Sequence, residues 1–331
     1  MNTFGKLFTI SIFGESHGVS VGIVIDGCPA GIPLGIADFQ GDFSRRRSGA
    51  TGTTPRMEPD IPRIMSGIFN GYTTGAPVMI LFENTDTRPG DYSKLKEIPR
   101  PGHADFTANL KFGGFQDYRG GGHFSGRLTL GLVAAGVIAK KLIGGIQVQA
   151  TLIEAGGSSD IETAVERAVE AGDSIGGIVE CKIGKVPAGL GEPFFDSVEA
   201  LLSHIIFSIP AVKGIEFGSG FGAARMKGSE HNDPIVSVDG TTETNHAGGI
   251  NGGISNGNEI VFRVAVKPTS STHRVQRTLN LRSGEMEELA IGGRHDICIA
   301  LRVPVVAEAA AAIVIADLML QAQKVGRIVI T

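Results

Sequence analysis

Tryptophan is absent from this chain of 331 residues, and tyrosine occurs only three times. Single-stranded nucleic acids are usually held by bases stacked on aromatic rings, so this scarcity argues against an aromatic nucleic-acid stacking platform. An excess of either charge is also missing. The net charge is -4 and the isoelectric point near 6.1, which leaves no global basic field to draw in DNA or an acidic membrane. Cysteine is scarce: Cys28, Cys181 and Cys298 are odd in number, far apart and without metal-ligand spacing. They read as reduced, buried thiols of a cytoplasmic protein. The N-terminus has no charged segment followed by an apolar stretch and a small-residue cleavage site, so no secretory signal is expected. The long apolar runs Leu128 to Ile143 and Val305 to Leu320 are broken by Lys140, Lys141 and Glu308. They fall short of about 18 clean apolar residues and predict core helices, not membrane spans. A Gly-x-Ser-x-Gly elbow, a Walker A loop and clustered His/Cys ligands are all missing, so no metal is expected.

Glycine is plentiful instead, with 48 residues, double the ~7 % typical of proteins and without a collagen period. That predicts many tight turns and close backbone approaches. Apolar residues make up 42 %, enough for a large core. The length fits one large domain, 1-331, in two halves of about 1-150 and 151-331. An internal repeat supports the halves. Gly14-Glu-Ser-His-Gly leads to Pro29-Ala-Gly, and Gly172-Asp-Ser-Ile-Gly leads to Pro187-Ala-Gly at the same interval. Gly67-Ile68 and Asp86 are matched in the same way by Gly214-Ile215 and Asp233. Each half ends in one of the two apolar runs.

Along the chain, residues 7-12 and 19-26 predict strands joined by the Gly14 to Gly18 turn. Asp38 to Arg47 predicts a helix capped by Asp38 with cations in its last turn. Ser48 to Pro62 reads as a mobile loop, and 64-82 as two strands around a Gly71 to Gly75 turn. Residues 84-122 show little periodicity. Ile161 to Val169 predicts a one-sided surface helix with Asp160 as its cap. Helices apolar on every side must be covered on both faces. The expected fold is therefore α+β: a β-α-β sandwich of long buried helices between two mostly antiparallel sheets, with an internal two-fold repeat.

The repeat also sorts structural from chemical residues. Ser16 recurs as Ser174, but Ile175 stands where the first copy has His17. The backbone does not demand an imidazole there, so His17 is a candidate for proton transfer near neutral pH. Arg45, Arg46 and Arg47 face Ser203, His204 and Ile205 in the second copy. Their guanidiniums, with Arg56 and Arg63, suit a small polyanion. Arg100-Pro-Gly-His-Ala-Asp presents a second imidazole, His103. The glycine-rich run Arg119 to Arg127 offers either N–H groups for an anion or close helix packing. Asn245-His-Ala-Gly-Gly, Gly252-Gly253 and Lys267-Pro-Thr-Ser-Ser form a polar group able to hold a cofactor phosphate or ring. Arg294-His295-Asp296 sets a cation, an imidazole and a carboxylate side by side.

Taken in order, Gly14-Glu-Ser-His-Gly, Arg45-Arg-Arg, Arg100-Pro-Gly-His-Ala-Asp, Tyr118-Arg-Gly-Gly-Gly, Asn245-His-Ala-Gly-Gly-Ile, Lys267-Pro-Thr-Ser-Ser and Gly293-Arg-His-Asp resemble the chorismate synthase family across the whole chain. The resemblance implies a carbon–oxygen lyase of the shikimate pathway that converts 5-enolpyruvylshikimate 3-phosphate to chorismate and phosphate. It further implies reduced FMN as cofactor and a homotetramer. By resemblance His17 protonates the departing phosphate, His103 holds the protonation state of the flavin, Asp296 relays a proton, and Ser16 and Ser125 assist. Arg45, Arg46, Arg127 and Arg294 would bind substrate. His123, Phe124, Ser125, Pro210, Ala211, Gly252, Lys267, Pro268, Thr269, Ser270, Ser271 and Arg294 would contact FMN. The chain departs from the family in lacking an arginine that many relatives have near Gly52, where His123-Phe124 replaces a more polar pair, and in a shorter segment 156-171. Segments that let some relatives reduce their own flavin with NADPH are lacking, so an external source of reduced flavin is expected. Two other readings are an NAD(P)H-dependent flavin reductase, which has no need of the one-copy arginines and histidines, and an RNA-binding module resting on the arginine run alone.

Overall fold

A computed structural model describes residues 2-326, 328 and 329, without the side chains of 89, 91 and 93. The first half supplies strands β1 (Thr3–Phe4), β2 (Thr9–Gly14) and β3 (Ser20–Asp26), helix α1 (Gln40–Arg46), strands β4 (Arg63–Ser66), β5 (Ile68–Phe69), β6 (Tyr72–Thr73) and β7 (Val78–Glu83), then helices α2 (Asp105–Phe112) and α3 (Thr129–Leu142). The second supplies β8 (Gln147–Ala155), α4 (Ile161–Ala171), β9 (Gly177–Gly184), α5 (Val198–Ile206), β10 (Val212–Phe217), α6 (Gly228–His231), the hairpins β11 (Ile250–Asn251) with β12 (Ile254–Ser255), strand β13 (Ile260–Val266), the hairpin β14 (Gln276–Leu279) with β15 (Met286–Leu289), and α7 (Val303–Gln321).

Two antiparallel sheets result, ordered β1-β2-β3-β7-β4 and β10-β13-β9-β8. Alternation builds the first: Val78, Ile80 and Phe82 of β7 point inward against Val21, Ile23 and Ile25 of β3. Helix α3 packs on β2 and β3, helix α7 packs on β8 and β9, and the two helices pack on each other. Gly136 makes their approach possible, because a Cβ there would lie 2.3 Å from Ala309 Cβ. The segment Ile299–Gln321 is long and apolar enough to cross a membrane, yet it is mostly buried inside the protein. Its two carboxylates are bonded: Asp317 accepts the N–H groups of Lys6, Leu7 and Phe8, and Glu308 accepts Arg45, Lys140 and Ala150 N–H.

Several expectations need correction. Asp38 lies within a 3-10 turn, Ile36–Phe39, where its carboxylate accepts the Gly35 N–H at 2.7 Å. The loop 48-62 lacks regular structure but is tied down, since Gly52 O accepts both Ile297 and Cys298 N–H. Residues 84-122 contain α2, whose exposed Phe106, Leu110 and Phe112 leave no one-sided apolar stripe to read. The matched interval to Asp86 and Asp233 does not mark equivalent places: Asp86 follows the strand β7, whereas Asp233 precedes β13. Asp160 caps α4 as expected, accepting Thr163 N–H.

Candidate active site

The turn between β2 and β3 is built by glycine. Gly14 has a φ of 96°, and a Cβ on it would meet Ser20 O at 2.2 Å. Ser16 N–H donates to Gly122 O at 3.0 Å, and the His123 Nδ1 contact to Gly14 O is 2.8 Å. The turn is thereby pinned to the run Gly120-Gly121-Gly122, all at positive φ. A Cβ on Gly120 would fall 2.1 Å from His17 Nδ1, and one on Gly121 would fall 3.4 Å from His103 Nε2. Bare backbone therefore separates the two imidazoles, and at Gly120 a side chain would strike His17.

His17 is only 7 % exposed, and its Nδ1 has no hydrogen-bond partner. Its ring meets Tyr92 edge-on at 5.0 Å. Burial, then the guanidinium of Arg56, push its pKa down to about 4; Asp117 opposes this, while Arg119 and Arg294 reinforce it. Without an added anion, the imidazole is neutral at pH 7 and its Nδ1 is an unsatisfied group, which is costly in a native fold. Arg56 is held over it by Ser16, donating to Ser16 Oγ at 2.8 Å and Ser16 O at 2.9 Å, and by Glu58 at 2.6 Å.

His103 is organised from its other side. Its Nδ1 lies 2.6 Å from Asp105 Oδ1, and Asp105 is itself gripped by Arg100 at 2.7 and 2.8 Å. Those bonds override burial and hold the Asp105 carboxyl well below the usual carboxylate range. Arg100 continues to Ser271 Oγ at 3.1 Å, and Lys267 Nζ donates to Gly102 O at 2.6 Å and Ser270 Oγ at 2.9 Å. Asp296 accepts Thr54 N–H at 2.9 Å and Arg302 at 3.3 Å. Arg294 bonds Asp86.

These groups line one cavity of about 690 Å³, within the ~300–1,000 Å³ usual for small-molecule sites. His17, His103, Asp296, Ser16, Ser125, His123, Phe124, Arg46, Arg127, Arg294, Pro210, Ala211 and Lys267 to Ser271 all contribute to its wall. Ile12, Leu132, Ile209 and Val306 give it an apolar side. Two candidates lie elsewhere. Arg45 pairs bidentately with Glu308 at 2.6 and 2.7 Å, so the core helix holds it off the cavity. Gly252 is at the β11–β12 turn, with open space beside it and no place in the cavity wall. Asn245 and His246 likewise support their own loop, around Asp233 and Glu259, apart from the Lys267 segment. Arg46 reaches the wall but is 2 % exposed and already bonded to Thr129, Asp60 and two carbonyls. Arg63 pairs with Glu83 at the exposed sheet edge. Asp60, which bridges Arg46 and Arg127, and Arg302 carried no sequence signal, because only folding brings them to this wall. Gly52 is compulsory here: its φ is 82°, and a Cβ would strike Val165 of α4 at 2.4 Å. Among the described residues no cluster of His, Cys, Asp and Glu is arranged for a metal.

A family model for chorismate synthase matches residues 8–320. The chain belongs to the chorismate synthase family. A chorismate synthase of Chitinophaga pinensis is 65 % identical over 329 residues, covering 99 % of both chains. One from Opitutus terrae is 47 % identical and covers 96 % of each. A crystal structure of a chorismate synthase matches with a TM-score of 0.74 at 25 % identity, over 96 % of this chain and 93 % of that one. The chain is thus an enzyme of mixed helix and sheet, a shikimate-pathway lyase.

Proposed function

We propose that the chain converts 5-enolpyruvylshikimate 3-phosphate to chorismate and phosphate by 1,4-anti elimination, with reduced FMN bound in the same cavity. The observation that carries this reading is His17: a buried, neutral imidazole with a free Nδ1, set among arginines in a site otherwise shaped for an anion. A flavin fits what surrounds it, since the cavity joins an apolar side to the polar Lys267 to Ser271 segment and leaves Thr269 Oγ1 shielded and unpaired. When bound, reduced FMN supplies a transient electron to the substrate and accepts its departing hydrogen.

The chain's own residues do the rest. Burial and then Arg56 keep His17 neutral; a substrate phosphate beside Arg56 adds a negative charge that opposes both, so the imidazole takes up a proton as the anion arrives. His17 then gives that proton to the leaving phosphate oxygen. Asp105 orients His103 through Nδ1, leaving Nε2 to hold the flavin's protonation state. Asp296, fixed by Thr54 and Arg302, helps carry away from the flavin nitrogen the proton that originates on the substrate, with Ser16 and Ser125 assisting. Arg46, Arg127 and Arg294 set the field, and Arg56 joins them.

Beyond chemistry, we propose one domain with duplicated halves. The strand orders β2-β3-β7-β4 and β8-β9-β13-β10 correspond, α1 answers α5 and α3 answers α7, which supports helices sandwiched between sheets. The working form is a homotetramer in the cytoplasm, supplied with reduced flavin from outside. Three buried free thiols agree with a reducing compartment; burial pushes Cys28 up to about 12 and raises Cys181 and Cys298. The test is anaerobic incubation with substrate and chemically reduced FMN. Chorismate absorbance and phosphate are expected to appear together and to stop with oxidised FMN. Folded, FMN-binding protein that makes neither would sink the proposal.

A further inference from the structure

Strand β10 starts with two backbone departures in succession. Ala211, just before it, has a left-handed φ of 73°, and its carbonyl accepts the Lys267 N–H at 2.9 Å. Pairing with β13 then slips: Val212 faces Val266 and Gly214 faces Ala265, so Lys213 is the extra residue of a β-bulge. Bulges re-aim a side chain out of the regular alternation and gather beside active sites. This one sets Lys213 on the cavity wall with Lys267.

The two lysines differ from the arginines around them. Arg56, Arg100, Arg127, Arg294 and Arg302 each bond a carboxylate, respectively Glu58, Asp105, Asp60, Asp86 and Asp296. Lys267 bonds only neutral oxygens, of Gly102 and Ser270. Among the described residues neither lysine has an acidic partner, and burial and the charge of Lys213 together lower the Lys267 pKa. Uncompensated positive charge therefore collects at the β10 end. Beside it Thr269 Oγ1 is enclosed without a partner. From His17 the site is reached past His103: the glycine run leads from His17 at Gly120 to His103 at Gly121, and Gly102, next to His103, meets Lys267.

We infer that Lys213, re-aimed by the bulge, joins the Lys267 segment in holding the phosphate monoester of the flavin, and that Lys213 separates FMN from riboflavin. This rests on the flavin reading above. Lys213 stands exposed at the cavity wall, so its replacement leaves the core untouched.

The experiment is a fluorescence titration of the full chain with oxidised FMN and with riboflavin, comparing Lys213→Met and Lys213→Arg. Losing one charge-assisted contact at a partly solvated site is expected to weaken FMN about tenfold. Riboflavin should bind as before, Lys213→Arg should recover most of the loss, and added salt should weaken FMN less in Lys213→Met than in the native chain. Equal losses for both flavins, or an unchanged FMN titration, would overturn the inference while leaving the flavin reading intact. A native chain that binds neither flavin removes the flavin reading itself. A parallel titration with 5-enolpyruvylshikimate 3-phosphate separates the two phosphates: if Lys213→Met weakens that substrate and spares FMN, the lysines serve the substrate and the inference falls.

Discussion

His17 shows how much one side chain can be set by its surroundings. Folded His17 titrates near 4, against 6.5 when free, so the unfolded chain binds this proton first as pH falls. Stability should therefore decline from about pH 6.5 and level off below 4, by up to about 3 kcal/mol from this group. Denaturant midpoints of the native chain and His17→Gln between pH 7 and 4 check this, the variant being flatter. Identical slopes would mean that His17 is not held neutral. Under the proposed mechanism, substrate binding at pH 7 takes up a proton, visible as a binding heat that varies with the ionisation enthalpy of the buffer. Gly120 tests the cradle. Gly120→Ala adds a Cβ 2.1 Å from His17 Nδ1 at a φ of 58°, a backbone strain of about 1–2 kcal/mol. Displacing the imidazole should lower kcat by about 100-fold while the fold persists by circular dichroism. Near-native turnover would show that the ring position is not set by the glycine run.

At the scale of elements, the core helices depend on a buried ionic knot as well as on apolar contact. Glu308 on α7 ties α1 through Arg45, α3 through Lys140 and β8 through Ala150 N–H. The same knot explains why Arg45 lies off the cavity while its neighbour Arg46 reaches it. Glu308→Ala leaves the buried Ala150 N–H without its acceptor and Arg45 and Lys140 with Asp42 alone, and is expected to cost about 3 kcal/mol, measured as a shift in urea midpoint; a change below about 1 kcal/mol would show that solvent or Asp42 replaces the carboxylate. Legibility varied from element to element for physical reasons. Helices α3 and α7 were evident because an all-apolar run has no other stable place. Helix α2 was not, since it buries little beyond Ala108 and so carries no periodic stripe. The bulge at Lys213 was equally hidden, because a slip in pairing belongs to two strands and is written in neither.

For the whole molecule, the two sheets differ in what they present outward. The outer side of β7 carries Met79 and Leu81, half-buried, whereas β9 presents Glu180 and Lys182. The proposed tetramer predicts a sedimentation mass of four times 34.6 kDa, and a monomer that retains full activity at assay concentration would reject it.

The sequence by itself determined the family, the buried helices and the residues that one half has and the other lacks, because periodicity, spacing and composition are local properties of a chain. Tertiary structure alone decided which cations face the cavity. Arg45, Arg46 and Arg47 are consecutive at the end of α1, yet Arg45 is drawn to a buried carboxylate while Arg46, with Asp60, and Arg47, with the Pro59 carbonyl, reach the cavity wall. It likewise decided that His17 is neutral, since burial and the approach of Arg56 arise only when the turn and the loop 48-62 fold together.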